Sequence, residues 1–208
     1  MYSKTEWATA ERQEFADLLD CLDDEQWSAP SLCGDWRVRD VGAHLVAYLD
    51  RSRAGFFAKM ALHLGRVDRL NTADVTRLSK WSREDIIDAV RANAEPRGVS
   101  SGFGGRIALT ECMIHQQDVR RPLRIPRTIA SGPLLAALDF ARIAPLIRGA
   151  IRTRGLQMIA TDVDWTAGHG PEVRGPGEAV LMAMAGRPDA LPQLSGPGVR
   201  ELSRRLDA

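Results

Sequence analysis

The chain falls into successive segments of helical period separated by proline and glycine. From Thr5 to about Leu22, Trp7, Phe15, Leu18, Leu19 and Leu22 recur at the three- and four-residue spacings that line one face of a helix. The stretch SAPSLCGDW interrupts that run with Pro30 and Gly34. A second long helix is predicted from about Val38 to Leu64, where Val41, Leu45, Tyr48, Leu49 and Phe56 form a stripe with His44 inside it. Asp40, near its start, suits the positive end of the helix dipole. Ser82 followed by Asp85 makes a capping arrangement that opens a short helix, REDIIDAVRANA, and Pro96 stops it. After the flexible lead GVSSGFGG, the pattern is helical again from Arg106 to about Arg121, ended by Pro122. ASGPLLAALDFARIAPLIRGAI supplies another helix, with a kink expected at Pro145. These segments describe a bundle of four or five helices, with connections long enough for a crossover between non-adjacent members.

Past about Thr153 the pattern changes. GLQMIATDVDW and PEVRG read as two short strands around a turn, GPGEAVLMAMAGRP as a helix ended by Gly186, and GPGVRELSRRL as a last helix. The expected architecture is mainly α: a helical bundle over residues 1–150 followed by a small α+β lobe over 151–208. At 208 residues and 44% hydrophobic content the chain can bury a substantial core. Its 28 Lys+Arg against 27 Asp+Glu leave a net charge of +1, and no basic block appears, so nucleic acid is excluded as the expected partner. No run of about 18 apolar residues is present, and the amphipathic N-terminus is unlike a signal segment, so a soluble cytoplasmic protein without membrane contact is expected. Cys21, Cys33 and Cys112 lack CxxC spacing and read as free thiols, the last two as buried apolar ones.

The chemistry concentrates in ECMIH. Glu111 and His115 are i and i+4, so on a helix they project from one face and can converge on a single ion. Ile107 continues that face and turns the pair toward the core. A buried glutamate is costly unless it is paired or coordinates a metal, and either a salt bridge or a metal would resolve the cost. His44, inward-facing on its own helix, is the third candidate, although alone it reads more readily as a satisfied core histidine. Two histidines and one carboxylate leave a position open on four-coordinate zinc, and nitrogen and oxygen donors also suit other divalent metals.

PSLCGDWRVRDVGAHL, ECMIHQQDVRRPL and ATDVDWTAGHGPEVRGPGEAVLMAMAGRP, taken together, resemble the mycothiol-dependent maleylpyruvate isomerase family, a branch of the DinB-like metalloprotein superfamily. The resemblance implies a DinB-like four-helix bundle holding a divalent metal, followed by a small C-terminal lobe. By position it implies His44, Glu111 and His115 as the ligands of that metal, for which the donor set makes zinc the expected ion, and mycothiol as cosubstrate. It also implies Arg187 in the C-terminal lobe as a functional residue, with Arg174 a second candidate for anchoring an anionic substrate; the bland reading of each is a surface or capping arginine.

A metal that deprotonates a bound thiol would create a nucleophile for an electrophilic small molecule, giving cis–trans isomerisation if the thiol leaves and S-transfer if it stays. The expected partners are therefore that electrophile and a low-molecular-weight thiol, and the expected state is a monomer or homodimer. A competing reading is a non-catalytic metal-binding bundle that binds a small molecule; a third is a metal-free bundle in which Glu111 pairs with a basic residue. Asp118, Arg120 and Arg121 read mainly as structural, Asp118 alternatively as a partner of a ligand histidine. Trp36 reads as a packing anchor or as a wall of the metal cavity. Arg37 stands where the family often has a serine or threonine cap, a loss of about 1 kcal/mol at the helix start.

Overall fold

The computed structural model describes residues 2–49 and 67–206, together with Ser52, Gly55 and Ala58. Apart from those three residues, the stretch of the second predicted helix beyond Leu49, with Phe56 and His63, lies outside the described residues, as do the side chains of Tyr48 and Leu49. The chain divides into two compact units, Met1–Pro126 and Arg127–Ala208.

The first unit contains α1 (Lys4–Cys21), α2 (Asp24–Ser28), α3 (Val38–Leu49), α4 (Val67–Arg77), α5 (Arg83–Ala92) and α6 (Arg106–Arg120). Side-chain caps fix several starts. Ser3 and Glu6 close a capping box on α1, Asp23 and Gln26 on α2, and Ser82 and Asp85 on α5 as the sequence pattern indicates. At α3, where Arg37 offers no Ser/Thr cap, the other half of a capping box remains: Asp40 Oδ2 accepts the Arg37 main-chain N–H at 3.0 Å.

Helix α1 packs on α5 and α6, and α3 packs on the same two helices, so α1 and α3 stand diagonally in a four-helix bundle. That diagonal is the crossover which the connection lengths allow. Phe15, Leu19, Val41, Leu45, Ile87, Val90, Cys112 and Val119 form one buried cluster drawn from all four helices. Burial of each large apolar side chain contributes about 1.5–3 kcal/mol. Helices α2 and α4 have no counterpart in the sequence reading. The first is a single turn, too short to show a period.

In the second unit α7 (Ser131–Ile143) and α8 (Gly149–Arg152) are separate helices. Pro145 therefore ends the long helix rather than kinking it, because the residue before a proline is pushed out of the helical region: Ala144 has ψ 116°. Strands β1 (Gln157–Ala160), β2 (Thr166–Gly168) and β3 (Glu172–Gly175) form a sheet in the order β2-β1-β3. β1 pairs antiparallel with β2, Met158 opposite Ala167, and parallel with β3, Met158 opposite Val173. Helix α9 (Gly177–Met184) follows, buried from Ala179 to Met184, then a 3-10 turn over Pro188–Gln193 and α10 (Val199–Leu206). Helices α7 and α8 fall with this sheet in the second unit.

Candidate metal centre

Two helices of the first unit bring the three sequence-predicted donors together. His44 lies mid-way along α3, four residues from the start of a turn that Asp40 anchors, and is 3% exposed. Glu111 and His115 occupy one face of α6, one turn apart. One donor atom from each of His44, Glu111 and His115 can be chosen so that all lie within 4.8 Å of one another. His44 Nε2 stands 3.4 Å from Glu111 Oε1, and the two imidazole rings meet edge to face at 4.9 Å between centroids.

The protonation states of His44 and Glu111 suit a cation. Burial pushes the His44 pKa below its ordinary value despite the Glu111 carboxylate, favouring the neutral ring. Burial works against the Glu111 charge, but the contact with His44 and the positive fields of His115 and Arg12 outweigh it and hold the carboxyl below its ordinary range. Glu111 Oε2 is buried and has no hydrogen-bond partner among the described residues. An ionised carboxylate with an unfilled acceptor, beside two imidazoles, fits a divalent cation with nitrogen and oxygen preference.

Behind His115 lies a second layer of polar groups. Asp118, one turn further along α6 and fully buried, has Oδ2 2.9 Å from His115 Nδ1 and accepts from the Cys33 thiol at 2.9 Å. Cys33 Sγ is 3.6 Å from the same ring nitrogen. The loop that carries Cys33 is pinned from both sides: Leu32 N–H donates to the Asp118 carbonyl at 3.0 Å, and Ser31 Oγ bonds Trp36 O and Cys33 N–H. Burial opposes a charge on His115, and the Cys33 sulfur and Asp118 carboxylate reverse that effect, raising its pKa to about 10. With Nδ1 committed to Asp118, Nε2 is the nitrogen left to face His44 and Glu111.

Two sequence readings change here. Asp118 is a partner of a candidate ligand, not merely a helix-end residue. Cys33 is half-buried, packed against the core cluster on one side and touching His115 and Asp118 on the other, because the loop bond to Asp118 O turns it onto α6. Cys112 does face away, buried, toward Glu11 O on α1. Trp36 packs on the core and on the site at once, its ring 5.0 Å from that of His44. Arg120 pairs with Glu14 at 3.0 Å.

The sequence reading missed Arg12. It is fully buried in α1, donates through Nη1 to Asn93 O at 3.4 Å, and its Nε and Nη2 have no partner among the described residues. Burial lowers its pKa, and the fields of Cys112 and Glu111 oppose that change. Its position was readable: Ala8, Arg12, Phe15 and Leu19 follow the 4-3-4 spacing of the inward stripe. Asp74 of α4, also buried, adds a negative field on His44.

In the second unit, Arg187 follows Gly186 and donates through Nη1 to Ala185 O at 2.6 Å. Arg174 is bound to Glu172 by two hydrogen bonds of 2.7 and 3.0 Å, an exposed ion pair. His169 lies exposed between β2 and β3.

A family model described as the mycothiol maleylpyruvate isomerase N-terminal domain matches residues 8–120. The chain belongs to this family. The matched stretch of this mycothiol maleylpyruvate isomerase family member contains Arg12, Cys33, His44, Glu111, His115 and Asp118. The crystal structure of a mycothiol-dependent maleylpyruvate isomerase is similar with a TM-score of 0.55, covering 93% of this chain and 91% of that one at 10% identity. A mutant of the enzyme so named, with a histidine replaced by alanine, gives the same values. At that identity the likeness establishes the fold. No curated protein matches the sequence.

Proposed function

We propose that the chain is a metal-dependent enzyme that uses mycothiol to isomerise a small unsaturated acid, with His44, Glu111 and His115 holding zinc. The observation that carries this reading is the convergence of those three donors within 4.8 Å, in a member of a family named for such an isomerase. A divalent cation held there would lower the pKa of a thiol bound to it, supplying a sulfur nucleophile near neutral pH.

The surrounding residues serve that purpose by position. Asp118 accepts the Nδ1 proton of His115 and thereby fixes the ring plane, leaving Nε2 as the nitrogen whose proton a bound cation would displace. Trp36 packs on the His44 ring and holds its orientation. Arg12 places a buried positive charge in the field of Glu111, which favours an anionic group in the site. Addition of the thiol sulfur to a cis double bond, rotation about the new single bond and elimination would give the trans product; the family name favours this over retention of the thiol as a conjugate. Arg187 would anchor a substrate carboxylate, a role suited to its planar fork of donors. A cytoplasmic location is part of this reading, and the three free cysteines suit a reducing compartment.

Cobalt substitution tests the thiol step. Titrating the cobalt protein with mycothiol should bring in a sulfur-to-metal charge-transfer band that saturates at one thiol per chain. An unchanged visible spectrum at saturating thiol would refute thiol binding at the metal.

A further inference from the structure

The His115 imidazole belongs to two donor groups, one with His44 and Glu111 and one with Cys33 and Asp118. In the second, Cys33 Sγ stands 3.6 Å from His115 Nδ1 and 2.9 Å from Asp118 Oδ2, and that oxygen stands 2.9 Å from Nδ1. Sulfur, nitrogen and oxygen thus form a compact triangle. Around a four-coordinate ion with metal–sulfur bonds of about 2.3 Å and metal–nitrogen or metal–oxygen bonds of about 2.0–2.1 Å, neighbouring donors stand about 3.3–3.6 Å apart. The Cys33–His115 edge already has that length, and the two edges at Asp118 would open by about 0.4–0.6 Å as the carboxylate leaves its hydrogen bonds.

Two separate elements build this group. His115 and Asp118 are i and i+3 on α6 and share a face. Cys33 comes from the loop before α3, whose neck is closed by Ser31 N–H to Trp36 O at 2.9 Å and by Val38 N–H to Ala29 O at 3.0 Å. Gly34 turns the tip of that loop in the left-handed region, at φ +59°. Cys33 itself is half-buried, so the group is not sealed from solvent.

Sulfur separates this group from the centre formed by His44, Glu111 and His115, whose donors are all nitrogen or oxygen. Thiolate draws soft ions. The two groups share His115, and a neutral imidazole offers one lone pair, so when one nitrogen binds an ion the other carries the proton. An ion on Nδ1 therefore leaves Nε2 protonated and takes one of its three donors from the first centre. Filling the Cys33 group releases the thiol proton and the Nδ1 proton to solvent and breaks both hydrogen bonds to Asp118. Glu111 Oε2, by contrast, has no hydrogen bond among the described residues to break. Zinc and cobalt accordingly stay at the first centre, and an ion with a stronger preference for sulfur moves to the second.

We propose that Cys33 Sγ, His115 Nδ1 and Asp118 Oδ2 form a second metal site, selective for thiophilic ions such as cadmium, whose occupation excludes the ion held by His44, Glu111 and His115. The exclusion rests on the reading of those three residues as ligands; the site itself does not.

Cadmium titration of the metal-free full chain carrying Cys21→Ser, which removes the exposed thiol of α1, tests the site and the exclusion. An ultraviolet sulfur-to-cadmium charge-transfer band should rise and saturate at one ion per chain. Cys33→Ala and Cys33→Ser should each abolish it, and Cys112→Ala should keep it. Glu111→Gln should keep it too, because that change disables only the first centre; failure of the ligand reading is thereby told apart from failure of this site. On the cobalt-loaded protein, cadmium should raise the band as the visible cobalt absorption falls in the same proportion. No band in the parent chain, or one that survives both Cys33 variants, would overturn the site. A band growing over an unchanged cobalt spectrum would overturn the exclusion.

Discussion

Replacing Asp118 by asparagine isolates the contribution of the layer behind His115. The side chain is fully buried, and its Oδ2 meets both His115 Nδ1 and the Cys33 thiol at 2.9 Å. Asparagine keeps the volume and one acceptor oxygen, so packing and a neutral hydrogen bond to the imidazole survive while the negative charge is lost. Partners of this kind typically change metal affinity about 10–100-fold, or about 1.4–2.8 kcal/mol. A hydrogen bond to a charged group is worth about 1.5–3 kcal/mol, and a neutral one about 0.5–1.5, so the difference falls in the lower half of that range. The expected result is zinc binding weakened about tenfold in Asp118→Asn, measured by competition with a chromophoric chelator at constant pH. Cys33→Ala, which removes the thiol beside Asp118 and His115 but leaves the Asp118 carboxylate in place, should stay within about threefold of wild type. Should Asp118→Asn bind zinc within about twofold of wild type while folded, Asp118 does not position His115.

The metal-free protein should lose stability with rising pH through His115. Its folded pKa of about 10 lies above the ordinary 6.5, so the contribution is fully present below about 6.5 and gone above about 10. Urea midpoints across that interval should fall more steeply in wild type than in His115→Gln, and parallel profiles would refute the assignment. Gly168→Ala should destabilise the sheet by about 1–3 kcal/mol, since the residue has φ +83° and an added Cβ would stand 2.2 Å from Leu156 O; a thermal melt equal to wild type would contradict this. Ser82→Ala removes the cap that accepts the Asp85 N–H and should cost about 1 kcal/mol in chemical denaturation, with no change in metal content.

The elements legible in the sequence are those with a long period and a marked start. α1, α5 and α6 combine an apolar stripe with a cap, a proline stop or both, and the structure places them within two residues of the expected bounds. β2 was invisible because its three residues, Thr166–Gly168, bury little and owe their conformation to pairing with β1. The donor set was legible because i, i+4 spacing on one helix is a local property. Which donors stand behind it was not, since Cys33 reaches His115 only through a loop bond to α6 from 86 residues away in sequence, Leu32 N–H to Asp118 O. Arg12 was overlooked for another reason: a charged residue on an apolar stripe breaks the pattern that identifies the stripe, and its burial depends on α5 and α6 closing over it.

Metal analysis of the purified wild type beside His44→Ala, Glu111→Ala and His115→Ala tests the site most directly. Wild type should carry one divalent ion per chain, and each variant should retain less than about a tenth of it after dialysis, with folding monitored by circular dichroism. Stoichiometric metal in all three variants would contradict the account.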